Sequence, residues 1–194
     1  MTRPALGLAL VLALSPASLH AQLGEVHVGL LASYGTAGSY QAGGGLLAGV
    51  SAGRLVYLGV RWVYFAGDTE QRSDPQGQYD VTTRAQIFAA DLGLQYPTGP
   101  VEIVAGVTIG ATRYGQETDP LGSGGTAAST SGVATELLVA PNLSVQIRAL
   151  GLLVIPEVMY PLSGAPDLRW PADRKGAVFA LRLVVPFEVQ RVRW

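Results

Sequence analysis

The sequence predicts an all-β fold, a closed antiparallel up-and-down transmembrane β-barrel of eight strands. Three observations carry this. After the first 21 residues the chain runs in stretches of alternating apolar and polar residues, the period of a half-buried strand. Tight turns alternate with longer polar connections between these stretches. Hydrophobic residues reach 48% and charged residues only 14%, against a usual charged share of about 25%. That hydrophobicity is dispersed: no uninterrupted apolar run of about 18 residues follows the leader, so spanning helices are excluded. Within lipid, strands satisfy every backbone N–H and C=O only by closing into a barrel.

Ahead of the first strand, residues 1–21 have the layout of a secretory signal peptide. Met1, Thr2, Arg3 and Pro4 precede an apolar run from Ala5 to Leu14, then Pro16 and a small-residue region ending at His20 and Ala21, with cleavage expected before Gln22. The run is shorter than the roughly 20 residues of a spanning helix. Residues 22–194 suit a single domain. The absence of cysteine excludes a disulfide scaffold and a lipidated N-terminal cysteine. Without Arg3, 12 basic face 14 acidic side chains, a formal charge of −2 with no basic patch for nucleic acid.

Alternation places the strands as follows. The first, 24–34, sets Val26, Val28, Leu30, Ala32 and Tyr34 against Glu25, His27, Gly29 and Ser33. The second, 40–51, opposes Leu46, Ala48 and Val50 to Gln41, Gly43, Gly45 and Gly49. The third, 54–65, opposes Val56, Leu58, Val60, Trp62 and Tyr64 to Tyr57, Gly59 and Arg61. In the fourth, 81–96, Phe88, Ala90, Leu92, Leu94 and Tyr96 lie opposite Asp91, Gly93 and Gln95. The fifth, 100–113, places Val101, Ile103, Ala105, Val107 and Ile109 against Glu102, Gly106, Thr108, Gly110 and Thr112. A sixth, 129–140, carries Val133, Leu137 and Val139 against Glu136. The seventh, 143–159, has Val145, Ile147 and Ala149 against Gln146 and Arg148, then turns apolar on both faces. The last, from 176, sets Phe179, Leu181, Leu183, Val185 and Phe187 against Arg182, Glu188 and Gln190.

Tight turns are expected at Ser51–Gly53, Pro97–Pro100 and Pro141–Asn142, and long polar loops at Gly67–Asp80, Gly115–Ala128 and Pro161–Lys175. Gly35–Ser39 is the short exception among the odd connections. Short periplasmic turns alternating with longer extracellular loops is the barrel pattern. An aromatic girdle is expected from Tyr34, Tyr40, Trp62, Tyr64, Tyr114 and Tyr160 toward the loops and Tyr96 and Phe187 toward the turns, where Tyr and Trp favour the lipid–water boundary. Phe65 and Tyr79 fall at the first of these levels and Trp194 at the second.

With its leader, eight strands and turn–loop asymmetry, the chain resembles the small eight-stranded bacterial outer-membrane barrels, the group containing the transmembrane domain of outer membrane protein A and outer membrane protein X. The likeness covers 22–194 and is one of architecture. It implies residence in the outer membrane, contact with its lipids and lipopolysaccharide, and handling by the barrel-insertion machinery during biogenesis. Such barrels end on an aromatic residue in phase with the lipid-facing alternation; Trp194 is aromatic but out of phase with 179–189, so either a bulge lies near 188–191 or 190–194 is a tail. With the chain ending at the eighth strand, no periplasmic domain is expected to follow.

With the apolar face toward lipid, the lumen collects Glu25, His27, Arg61, Asp91, Glu102, Glu136, Arg148, Arg182 and Glu188. An eight-stranded interior is just wide enough for side chains to fill, so these charges are expected to pair and plug it. The function expected is structural or interactive, with extracellular loops available to a ligand. One alternative is a narrow channel for small solutes; another is a soluble periplasmic carrier, resembling lipocalins, with an apolar ligand inside. Catalysis is not expected: His27 is the one histidine after processing, and Ser33, on its face, lies about 20 Å along the strand at ~3.3 Å per residue. No cofactor is expected, and the carboxylates Asp68, Glu70, Asp74 and Asp80 lack the fixed spacing of a calcium loop.

Overall fold

A computed structural model describes residues 23–52, 55–98, 100–121 and 129–188. The expected signal peptide 1–21, the 122–128 part of the Gly/Ser/Thr tract and the C-terminal 189–194 with Trp194 lie outside the described residues.

The strands are β1 (Leu23–Gly35), β2 (Ala42–Ala52), β3 (Val56–Asp74), β4 (Gly77–Pro97), β5 (Val101–Leu121), β6 (Thr130–Ala149), β7 (Leu152–Met159), β8 (Leu162–Ser163) and β9 (Val178–Glu188), with one 3₁₀ turn at Gly38–Tyr40. Every pairing is antiparallel, and the order β5-β4-β3-β2-β1-β9-β7-β6 is closed by β5 against β6. β7 and β8 pair with β6 in one register, Asn142 opposite Met159 and Leu138 opposite Ser163. They form a single stave interrupted at Pro161, which has no N–H to give the ladder. The barrel therefore has eight staves, the number the alternation predicts.

The outward positions of this wall carry no charged side chain between the turns and the level of Tyr34, Tyr64, Tyr160 and Phe179. Leu30 is 61% exposed and Leu137 68%, with Val28, Leu46, Val60, Phe88, Leu92, Leu183 and Val185 also open to the surroundings. Arg61, Asp91 and Arg182 point inward and are buried. A lipocalin-like carrier needs the reverse arrangement, so that alternative is not favoured.

Three expectations of strand layout are corrected. Pro141–Asn142 is not a turn: β6 runs through it to Ala149, with Pro141 facing outward. The turn lies at Leu150–Gly151, both at positive φ (52° and 80°), the signature of a two-residue hairpin whose twist matches its strands. A two-residue turn changes which parity faces outward, and the second half of the stretch that reads as one seventh strand is apolar on both faces because its inward Leu153, Ile155 and Met159 belong to the apolar interior. The expected loop Gly67–Asp80 is instead a hairpin, with β3 and β4 paired from Asp68 opposite Thr83 to Asp74 opposite Gly77. Likewise β5 continues to Leu121 through what is expected as loop.

A one-residue bulge between Phe65 and Asp68 shifts the inward face of β3 from odd to even positions. Gly67 sits there at φ 74°, and a Cβ would lie 1.8 Å from the Thr83 carbonyl oxygen, so the bulge requires glycine.

Candidate functional site

The interior is the candidate site, and it is filled in layers. At the turn end, His27 Nε2 donates to Glu25 at 3.3 Å, Glu25 pairs with Arg148 at 2.6 Å, and the His27 ring stacks on Tyr57 with centroids 5.8 Å apart. His27 is fully inside, whereas Arg148 stands at the rim and is half exposed.

At mid-height four charges meet. Arg61, from β3, donates through Nε to Asp91 at 2.8 Å and through Nη1 to Glu157 at 2.5 Å. Arg182, from β9, pairs with Glu157 and lies 4.0 Å from Asp91. Thr108 donates to the free Asp91 oxygen at 2.6 Å and Asn142 donates to Thr108 at 2.9 Å. Two guanidiniums and two carboxylates sum to zero, which is how four buried charges are tolerated in one small space.

Above this quartet the interior turns apolar. Tyr40, carried inward by the 3₁₀ turn, lies edge-on to Phe65 at 5.3 Å and shares a 2.6 Å hydrogen bond with Tyr114, which bonds Ser163 at 2.7 Å. Val63, Ile87, Leu138 and Met159 pack around them.

The segment 164–177 then crosses the mouth as a strap. Trp170 donates its backbone N–H to Gln116 Oε1 at 3.1 Å, and Gln116 Nε2 donates back to the Trp170 carbonyl at 3.0 Å. Asp173 accepts from the Gly38 N–H at 2.8 Å, and Arg169 donates to Asp74 at 2.7 Å while lying 4.7 Å above the Tyr79 ring. The Arg169 hydrogen bond holds the Asp74 carboxyl below its ordinary value, and the same contact raises Arg169.

The inward set expected from sequence thus divides. Arg61, Asp91 and Arg182 come together, and Glu25, His27 and Arg148 form a second group at the turn end. Glu102 and Glu136 are half-buried on the inward side but join no ion pair among the described residues. The Glu188 backbone pairs with Glu25, and its side chain lies outside the described set. Glu157, the carboxylate between both arginines, is missed by sequence reasoning because its strand reads as apolar on both faces; with the turn at Leu150–Gly151, its parity with Leu153 and Ile155 marks it as inward.

The girdle is also corrected. Tyr34, Trp62, Tyr64, Tyr96, Tyr160 and Phe187 face out, whereas Tyr40, Tyr114 and Phe65 are fully buried in the plug and Tyr79 is buried against Trp170 of the strap. The interior layer above the quartet takes aromatic side chains whose hydroxyls find partners. His27 Nδ1 has no partner, so among the described residues no serine or threonine hydroxyl lies within hydrogen-bond reach of it. Among the described residues no three acidic, histidine or cysteine side chains could hold a metal ion.

No protein-family model and no curated protein matches this sequence. Solved structures do. The barrel is similar to a major outer membrane protein from Thermus thermophilus, at 12% identity over 84% of this chain and 99% of that one, with a TM-score of 0.66. It is also similar to Ail, the attachment invasion locus protein of Yersinia pestis, solved in complex with the heparin analogue sucrose octasulfate, at 14% identity over 86% of this chain and 99% of that one, with a TM-score of 0.50. The chain has the fold of the small outer-membrane barrels.

Proposed function

We propose that this chain is an integral protein of the bacterial outer membrane, exported by its leader 1–21, with a closed lumen and a structural or surface-contact role carried by its long-loop end. The observation that carries this is the wall itself: apolar at every outward position across the belt, closed on itself, and filled inside by a neutral charge quartet. An apolar exterior of this extent is stable only against lipid. Short turns on one side and the strap, the 3₁₀ turn and the tall β3–β4 hairpin on the other support an outward-facing position for the latter end. The filled interior supports a closed barrel over a channel. Insertion by the barrel-assembly machinery and contact with lipopolysaccharide follow from that location.

The test is extraction and heat-modifiability. The protein fractionates with the outer membrane, leaves it only in detergent, and migrates faster on gels unboiled than boiled. Recovery in the soluble periplasm with a single mobility would overturn the reading.

A further inference from the structure

On four of the eight staves, β1, β3, β7 and β9, the apolar belt ends at the loop side in aromatic side chains, Tyr34, Tyr64, Tyr160 and Phe179. On β4, β5 and β6 it ends differently. The outward row Phe88, Ala111 and Leu137 is followed by Gln86, Arg113 and Thr135, paired directly across the three strands. Arg84 comes next on β4, diagonal to Arg113 across the β4–β5 pair. Diagonal side chains on one face are about 7–8 Å apart at their backbones, within reach of long side chains, so both guanidiniums can meet at one point. Among the described residues of these strands, acidic side chains are absent from this level and appear farther from the belt, at Asp80, Glu117 and Asp119.

The space between the two arginines is open. Gly115 lies directly opposite Arg84 and faces outward, and a Cβ there would meet nothing within 4 Å. Arg113 enters none of the ion pairs among the described residues. Arg84 has one partner among them, Glu117 at 3.4 Å, and both side chains are half exposed. A surface pair of this kind is worth no more than about 1 kcal/mol and exchanges readily.

From this sorting we infer that the outward face of β4–β5–β6, at the edge of the belt, holds the phosphate of a membrane-lipid headgroup, with Arg113 and Arg84 as its donors and Gln86 and Thr135 flanking. The inference rests on the membrane location proposed above and adds to it a site and a ligand class. Guanidinium and phosphate match in charge and geometry, and the acyl chains of such a lipid lie along Phe88, Ala111 and Leu137; Asp80 and Asp119 stand farther from the belt, and Glu117 is the carboxylate that the phosphate displaces from Arg84.

The test compares lipid retention. The protein is reconstituted in vesicles of a phosphate-free galactolipid, digalactosyldiacylglycerol, containing bisphosphorylated lipid A, or lipid A stripped of its phosphates, and extracted into neutral detergent; co-purifying lipid is quantified by mass spectrometry. Wild type is expected to retain the phosphorylated lipid well above the dephosphorylated one, and R113Q with R84Q to lower that retention about five- to tenfold. Gly115→Val, which keeps every charge and whose Cβ meets no atom within 4 Å, should lower it as well, and Glu117→Gln, which frees Arg84, should raise it. Equal retention of the two lipids, or no change in the arginine variant, overturns the inference. So does a wild type that binds inorganic phosphate equally well and shows no preference for the phosphorylated lipid, which would mark a free-anion site. Heat-modifiability is measured on each sample: if it persists while phosphate-dependent retention is absent, the site alone fails, and if wild type lacks it, the membrane reading fails with it.

Discussion

Glu157 is the side chain on which the mid-lumen quartet turns, since it alone contacts both Arg61 and Arg182 at hydrogen-bonding range. Glu157→Gln keeps the shape but leaves two buried guanidiniums facing the single carboxylate of Asp91. Removing one partner of a buried pair costs about 3–5 kcal/mol. The variant should unfold at a markedly lower urea concentration in detergent than wild type; an unchanged midpoint would mean that water enters the lumen freely. Leu150 offers the opposite sign. It holds a φ of 52° at full exposure, and an L-residue with a bulky side chain loses about 1 kcal/mol there. Leu150→Asn, giving the Asn–Gly pair favoured in such turns, should raise stability by about 1 kcal/mol in the same titration.

At the scale of elements, the strap 164–177 is joined to the β3–β4 hairpin by Asp74 and Arg169. The Asp74 carboxyl is held below its ordinary value of 3.8, mainly by that hydrogen bond. A carboxyl depressed on folding contributes stability above its ordinary value and loses it as pH falls through the depressed one. The latch is therefore complete at neutral pH and released only in acid below 3.8. Asp74→Asn at pH 7 should reproduce the released state, seen as faster hydrogen exchange in 164–177 and faster tryptic cleavage after Arg169. Unchanged exchange would assign the strap's hold to Gln116 and Asp173 instead. The tall hairpin also brings Asp80 directly opposite Asp119 on its outward face. Like charges so placed are destabilising, and the pair lies beyond the belt, where water and salt screen it.

For the whole molecule, closure and filling decide what the barrel does. The ring encloses a charge layer of zero net charge with an aromatic plug above it, and on the closed-lumen reading proposed above ions find no hydrated path. Purified protein in planar lipid bilayers is expected to give no stepwise conductance, and Tyr40→Ala should remain silent because the quartet below it is intact. Sustained steps in wild type would overturn the closed-lumen reading in favour of the narrow channel.

Parity along each stave is legible without coordinates because it is local: a strand shows one face to lipid and one to the lumen, and Val26 to Tyr34 or Val56 to Tyr64 display it in consecutive residues. Eight staves, antiparallel closure and the inward placement of Arg61, Asp91 and Arg182 follow from that alternation. Polarity misleads at the loop end, since Asp68 to Asp80 is hydrophilic for standing clear of lipid, and a strand paired beyond the membrane needs no apolar face. Pro141 misleads because proline is tolerated in a stave where its missing N–H is not needed, and the real turn at Leu150–Gly151 carries a single glycine. Which inward residues touch is decided only by tertiary structure. Barrel closure brings β3, β4, β7 and β9 together across the lumen, so that Arg61 meets Glu157 at 96 positions' remove while Glu102 and Glu136, equally inward, meet no cation among the described residues. Tyr40 and Tyr114 obey the same logic: local sequence places an aromatic at a strand end, but whether it turns to lipid or fills the mouth depends on the space the closed ring leaves inside.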